Sequence, residues 1–237
     1  CKNNRLIQRI ALGTALLPRL STAEADEQKA DFINALDEAI VFAGFFVVPA
    51  MMSLVILAGP IIEGLFAYGA FTIDDATLAA MALSAYAVGL PGFVLVKILQ
   101  PAFYALGRPA TVLKISIMTI VINITGSLIL MPIFGHVGLA LATSLSGLVA
   151  GLVMAVLLRR RRRLGGGSIG MMGHIFLATM IMAIFLVVFA NFGAGLKHFM
   201  PAAFWLAGQV IFGGAAFVVA AVFFKAIPAG LVRRWRH

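Results

Sequence analysis

Polar side chains repeat every four residues along one apolar block, in a pattern that could bind a cation or a water molecule. Thr119, Asn123 and Ser127 fall on one face of a helix, because residues four apart are neighbours on a helix surface. Three further hydroxyl groups follow in the next block, on Thr143, Ser144 and Ser146. A short connection would place these helices side by side, so that their oxygens could coordinate a cation or water. The alternative is packing of small residues, which the GxxxG spacing of Gly147 and Gly151 favours.

Lys97 is a candidate for binding a phosphate group. It stands with Gln100 and Pro101 near the end of another apolar block. A lysine near the end of a membrane helix commonly extends its charged end to the lipid headgroups. The alternative is that Lys97 faces an internal cavity, where a buried charge marks a substrate pathway. Both interpretations stay open on the sequence.

A glycine and proline cluster interrupts the same block near its middle. Gly89, Pro91 and Gly92 would leave backbone groups that neighbouring helices or water must satisfy. Broken helices of this kind form binding sites in transporters. The sequence therefore predicts either a hinge or an ordinary kink at these residues.

Composition argues against several function classes. The sequence has no HExxH, GxxxxGKS or GxxxxGKT motif, and its 4 histidines stand at loop or helix ends, where structural roles are the default. A single cysteine excludes an internal disulfide. The basic residues punctuate apolar blocks and do not cover a polar face, so we expect no nucleic-acid partner. We expect no enzymatic activity and no organic cofactor.

The elements that must position these residues are predicted membrane spans. The 237 residues are 62% hydrophobic, and all 9 acidic residues precede residue 76. A helix needs about 20 apolar residues to cross the roughly 30 Å of hydrocarbon. Six blocks meet this length, at residues 35–57, 78–99, 112–132, 137–158, 171–192 and 202–224. We expect an all-α polytopic membrane protein with six full transmembrane helices and a partial helix at the N-terminus.

Loop charges predict the orientation of these spans. The run of five arginines at residues 159–163 indicates a cytoplasmic loop, because Lys and Arg accumulate on that side. The alternation of spans then places the C-terminus in the cytoplasm as well. The polar residues 21–37 are predicted to form a cytoplasmic loop, and the glycine-rich residues 165–168 a flexible joint. A chain that starts at Cys1 is expected to be a fragment or a processed product.

Four strings along the sequence carry a family resemblance. They are ALGTALLPRLS at residues 11–21, GPIIEGLFAYGAFTIDDA at 59–76, AYAVGLPGFVLVKILQPAFYA at 85–105 and GHVGLALATS at 135–144. In this order, and over nearly the whole chain, they resemble the bacterial lipid II flippase family MurJ (MviN). That family belongs to the multidrug/oligosaccharidyl-lipid/polysaccharide exporter superfamily. The resemblance implies a two-lobe fold with two extra C-terminal helices.

The resemblance also implies a domain organisation, a function and partners. Residues 1–21 would be the end of a truncated transmembrane helix, 22–163 the second-lobe helices, and 164–237 a C-terminal helix pair forming a lipid-tail groove. The implied function is flipping of the lipid-linked peptidoglycan precursor across the bacterial inner membrane by alternating access, as a fragment without the first lobe. The implied partners are this undecaprenyl-pyrophosphate-linked precursor, membrane lipids and the missing N-terminal lobe. Another exporter of the superfamily, a membrane-embedded enzyme and a non-functional fragment are the alternatives.

The resemblance places two sets of site residues. Arg5 matches an arginine that faces the central cavity in the family, and it would bind substrate together with Lys97. A guanidinium suits pyrophosphate, because its fork makes paired charge-assisted hydrogen bonds. Asn123, Ser127 and Thr143 fall at positions of a sodium site found in some members, with Ser127 in place of an acid. A coupling sodium ion is therefore expected there.

Overall fold

The fold was taken from a computed structural model, which describes residues 3–66, 72–162, 167–192, 202–224 and 226. Side chains are described for residues 32–66, 72–159, 170–191, 204–224 and 226. Within these ranges the chain forms helices and no strand. The helices are α1 (Asn3–Phe66), α2 (Ile73–Ala105), α3 (Pro109–Phe134), α4 (His136–Arg162), α5 (Gly167–Phe192) and α6 (Ala202–Phe223). The predicted all-α class is confirmed.

Each helix contains a segment long and apolar enough to cross a membrane. In α1 this segment is Phe32–Phe66, and the other helices qualify over nearly their full lengths. Many large apolar side chains on the outer faces are exposed, such as Leu128 at 72% and Phe223 at 80%. Such a surface is stable in lipid but not in water. The prediction of a multi-pass helical membrane protein is confirmed.

The N-terminal part of the prediction was wrong in one respect. Residues 21–37, predicted as a loop, belong to α1, which runs as one helix of 64 residues. The stretch contains no glycine or proline, and its four alanines, two glutamates, one glutamine and one lysine are good helix formers. Its polarity was therefore a poor sign of a loop. Residues 3–21 are continuous with the first span. The domain division of the chain, including the truncated helix end at residues 1–21, stays a prediction.

The helices pack as two groups that share α1. Helix α4 packs against α2 and α3, and α2 also packs against α1; we call α2, α3 and α4 the α2–α4 bundle. Helices α5 and α6, the C-terminal pair, pack against each other and against α1. One apolar core contains Leu36, Leu99, Phe103, Ile115 and Met154, and the other contains Val41, Phe45, Ile175, Met182 and Phe217. Helix α1 thus joins the two groups. The predicted joint at 165–168 lies partly outside the described residues.

Two glycines make the tight connections of the α2–α4 bundle possible. Gly107 and Gly135 have positive φ angles of 67° and 59°, a region that favours glycine. Gly135 alone separates α3 from α4, and its N–H donates to the Met131 carbonyl at 2.8 Å. So short a connection forces the two helices to run side by side, as the sequence predicted. The polar residues of α3 and α4 are thereby brought into reach of each other.

Candidate functional site

The glycines of α2 lie where α2 meets α4. A Cβ atom added at Gly89 would come within 2.7 Å of Ser144 Cα, and one at Gly92 within 2.5 Å of Leu148 Cα. These distances are too short for any side chain, so glycine permits the close approach of the two backbones. Helix α2 continues as helix through Pro91. The cluster therefore serves close packing in this structure, and its role as a hinge stays a prediction.

Helix α4 contributes the other half of this contact. The ring of Phe93 lies against Gly147, and a Cβ atom at Gly151 would come within 2.8 Å of the Gly92 carbonyl oxygen. The interpretation of Gly147 and Gly151 as a small-residue packing motif is confirmed. Ser144 adds a hydrogen bond between the helices, because its hydroxyl donates to the Ala85 carbonyl at 2.6 Å.

The polar stripe of α3 joins α3 to α4. The Asn123 Nδ2 donates to Thr143 Oγ1 at 3.0 Å and to Ser146 Oγ at 3.4 Å. Thr143 Oγ1 donates in turn to the Leu139 carbonyl at 2.9 Å, and Ser146 Oγ to the Thr143 carbonyl at 2.8 Å. The structure thus brings Asn123 and Thr143 together, as the sequence predicted. Ser146 is a partner that the family resemblance did not indicate.

The fit of these residues to a cation depends on which oxygens remain available. The Ser127 hydroxyl is buried and has no hydrogen-bond partner among the described residues. In contrast, Asn123 presents its amide nitrogen to Thr143, whose hydroxyl is already engaged. In the described part of the chain, no three His, Cys, Asp or Glu residues group together as metal ligands. The candidate ligands for a cation at this stripe are therefore neutral oxygens. Among them, the Ser127 hydroxyl is not engaged in a hydrogen bond with any described residue. Sodium binding stays a prediction.

Lys97 lies in a groove between α2 and α3, with α4 as its floor. The groove has a volume of about 670 Å³. Its lining includes Lys97, Gln100 and Tyr104 from α2, Ser116 and Thr119 from α3, and Gly147, Ala150 and Met154 from α4. Among the residues whose side chains the structure describes, no acidic one lines the groove. An anion in this groove would meet the positive charge of Lys97.

For the remaining predicted residue, Arg5, the structure describes only the backbone. Its backbone belongs to α1, and its side chain lies outside the described side chains. Thr119 is the one member of the polar stripe in the groove lining, and its hydroxyl donates to the Ile115 carbonyl at 2.8 Å. Sequence reasoning missed Tyr104 as a lining residue. The available signal was its position seven residues after Lys97, which places both on one helix face.

Comparison with known proteins gives concordant results. A sequence model of the lipid II flippase MurJ family matches residues 6–221. The chain is 34% identical over 152 residues to the lipid II flippase MurJ of Burkholderia cenocepacia, covering 64% of this chain and 30% of that protein. It is 39% identical over 150 residues to the probable lipid II flippase MurJ of Vibrio cholerae, covering 63% and 28% respectively. The chain thus spans about 30% of the length of the first of these curated relatives.

The fold agrees with a solved structure. A lipid II flippase MurJ in an inward closed conformation matches with a TM-score of 0.69 and 24% identity, over 84% of this chain and 40% of that one. This likeness establishes a shared helical membrane fold. The family match covers most of the chain, from residue 6 to residue 221. The chain therefore belongs to the lipid II flippase MurJ family.

Proposed function

We propose that this chain forms part of a flippase that moves lipid II, the lipid-linked peptidoglycan precursor, across the bacterial inner membrane. The observation that carries the proposal is the family match over residues 6–221. The chain would supply the second-lobe helices and the C-terminal pair. It would work with a first lobe, because alternating access needs two units that move against each other.

The groove beside Lys97 suits the charged part of such a substrate. Pyrophosphate is an anion, and the Lys97 ammonium group offers three N–H donors. From Ala76 to the end of the sequence there is no Asp or Glu, so later spans add no opposing negative charge. Arg5 and Lys97 are the proposed substrate-binding residues. In this groove the headgroup would contact the Lys97 cation together with the polar side chains of Gln100, Ser116 and Thr119.

The C-terminal pair suits the lipid tail. Its outward faces are apolar, with Phe204 71% and Val219 69% exposed. Of its two described buried polar residues, Thr179 is satisfied within α5 by the Ile175 carbonyl at 2.8 Å, whereas Gln209 Oε1 has no hydrogen-bond partner among the described residues. Both are buried, so an isoprenoid chain on the outward faces would meet apolar side chains. We therefore propose residues 164–237 as the part that contacts the tail.

A chimera tests the proposed function. Residues 6–221 would replace the matching segment of the full-length Vibrio cholerae relative, in cells depleted of their own flippase. We expect growth, together with appearance of lipid II at the outer surface of the inner membrane. Lysis of cells that hold normal amounts of chimera in the membrane would contradict the proposal. Binding of the purified chimera to lipid II and to other polyprenyl-linked sugars separates lipid II from the substrates of related exporters.

Sodium coupling at Asn123, Ser127 and Thr143 is proposed from the resemblance, and the buried Ser127 hydroxyl without a described partner supports it. A ligand that binds only the folded state raises the free energy of unfolding. We expect the chimera to unfold at a higher temperature in NaCl than in KCl of equal ionic strength. Ser127→Ala should remove this difference, and Ser116→Ala, which changes a hydroxyl in the groove on the same helix, should keep it. Equal unfolding temperatures in the two salts would show that the ion prediction is wrong.

A further inference from the structure

Two residues next to Lys97 form a pair whose role the proposed function does not use. Gln100 and Tyr104 follow Lys97 at intervals of three and four residues on α2, so the three side chains share one helix face. All three line the groove between α2 and α3. The Tyr104 side chain is 50% exposed, so a ligand in the groove can reach it.

The hydrogen bond within this pair sets which atoms face a ligand. Gln100 Nε2 donates to Tyr104 Oη at 2.9 Å. Because the phenol oxygen accepts this bond, its own hydrogen is left to be donated elsewhere. No acceptor for that hydrogen occurs in the parts of the chain that the structure describes. The Lys97 ammonium and the Tyr104 hydroxyl are thus two donors along one wall of the groove, whose described lining contains no acid.

The spacing of the two donors favours a ligand with two phosphate groups. Lys97 and Tyr104 are seven residues apart, which is about 10 Å along a helix axis. A diphosphate can contact donors at both ends of this row, whereas a monophosphate reaches fewer of them. The row of donors therefore suits a ligand whose negative charge extends over two phosphate groups.

We infer that Lys97, Gln100 and Tyr104 form a diphosphate subsite, in which Tyr104 donates to the second phosphate and Gln100 orients the phenol hydroxyl. The inference rests on the proposed function in taking the transported diphosphate lipid as the ligand. Phosphate groups are also present in anionic phospholipids, so the shared chemistry has two sources. The test must separate them.

The experiment uses the full-length chimera with Tyr104→Phe, Gln100→Leu and both changes together. Binding of undecaprenyl diphosphate, undecaprenyl monophosphate and cardiolipin is measured in detergent. A lost hydrogen bond to a charged group should weaken diphosphate binding about tenfold in Tyr104→Phe and leave monophosphate binding within about twofold. As a single change, Gln100→Leu should weaken diphosphate binding. In the double variant it should add little to the effect of Tyr104→Phe, because Gln100 acts through Tyr104.

Tyr86→Phe is the matched control, since Tyr86 is also on α2, is 42% exposed and lies outside the groove. It should leave all three affinities unchanged. Equal weakening of all three ligands by Tyr104→Phe would overturn the subsite, because it would indicate a structural effect. Weakening of cardiolipin binding alone would overturn the assignment to the transported lipid. Selective loss of diphosphate binding in a chimera that does not flip lipid II would support the subsite and contradict the proposed function.

Discussion

The α2–α4 bundle and the C-terminal pair are both apolar helix assemblies, yet they are held together differently. In the bundle, glycines bring backbones into contact, and Ser144 and Asn123 make hydrogen bonds between helices. In the C-terminal pair, contacts are made by side chains, such as the stacked rings of Phe189 and Trp205 with centroids 5.3 Å apart. The comparison shows that the bundle combines close backbone contact with interhelical hydrogen bonds, whereas the described part of the C-terminal pair is held mainly by contacts between apolar side chains.

Breaking the backbone contact should have the largest effect on stability. Gly92→Ala places a methyl group within 2.5 Å of the Leu148 backbone, which cannot move without shifting α4. We expect a loss of about 2 kcal/mol in the free energy of unfolding, as for an overpacked core. The measurement is the fraction of purified chimera that stays monodisperse after heating.

Gly214→Ala is the control for this variant. Nothing lies within 4 Å of a Cβ atom at Gly214, and alanine favours helix over glycine by about 1 kcal/mol. Gly214→Ala should therefore leave stability unchanged or raise it. A similar loss in both variants would contradict the view that the bundle depends on backbone contact more than the C-terminal pair does.

Removing a side-chain hydrogen bond should lower stability more in the bundle than in the C-terminal pair, although by less than Gly92→Ala does. Ser144→Ala removes a bond between α4 and α2, and a membrane interhelical bond contributes about 0.6 kcal/mol, with larger values reaching about 1.7. Thr179→Val keeps the shape of a buried side chain whose hydroxyl bonds only within α5. We expect Ser144→Ala to lower the unfolding temperature by more than Thr179→Val does. The reverse order would show that hydrogen bonds between helices do not distinguish the stability of the bundle from that of the C-terminal pair.

The smallest effect is expected where a glycine faces a side chain in the C-terminal pair. A Cβ atom at Gly213 would come within 2.6 Å of Leu186 Cδ2. The end of a leucine side chain can change rotamer, so an overpacking cost of about 1 kcal/mol should be largely offset by the gain of about 1 kcal/mol in helix propensity, and Gly213→Ala should change stability less than Gly92→Ala. The same heating assay ranks the variants. A cost equal to that of Gly92→Ala would mean that the C-terminal pair is as closely constrained as the bundle.

The spans could be predicted from the sequence because hydropathy and length determine them directly. The polar stretch 21–37 could not, since charged residues with high helix propensity extend α1 as readily as they form a loop. Gly89 and Gly92 were identified as important, but hinge and packing roles share the same residue types. Only the distance to α4 shows that they pack closely.

The candidate site, like the fold, could be predicted from the sequence only in part. Asn123 and Thr143 could be paired from their helix positions and the short connection at Gly135. The groove could not be predicted, because it arises from how α2 and α3 both pack on α4. Lys97 could therefore be identified from its charge. Tyr104 could be identified only from the structure, in which it lines the groove.

The central claim is that the groove of the α2–α4 bundle binds the anionic headgroup of lipid II through Lys97. The most direct measurement is the rate at which lipid II reaches the outer surface in cells that depend on the chimera. Lys97→Ala should lower this rate at least about tenfold through loss of a charge-assisted contact, and Lys97→Arg should retain most of it. Lys114→Ala, at an exposed lysine of α3 outside the groove, should leave the rate unchanged. A Lys97→Ala rate equal to that of Lys114→Ala, at equal protein amounts, would contradict the claim.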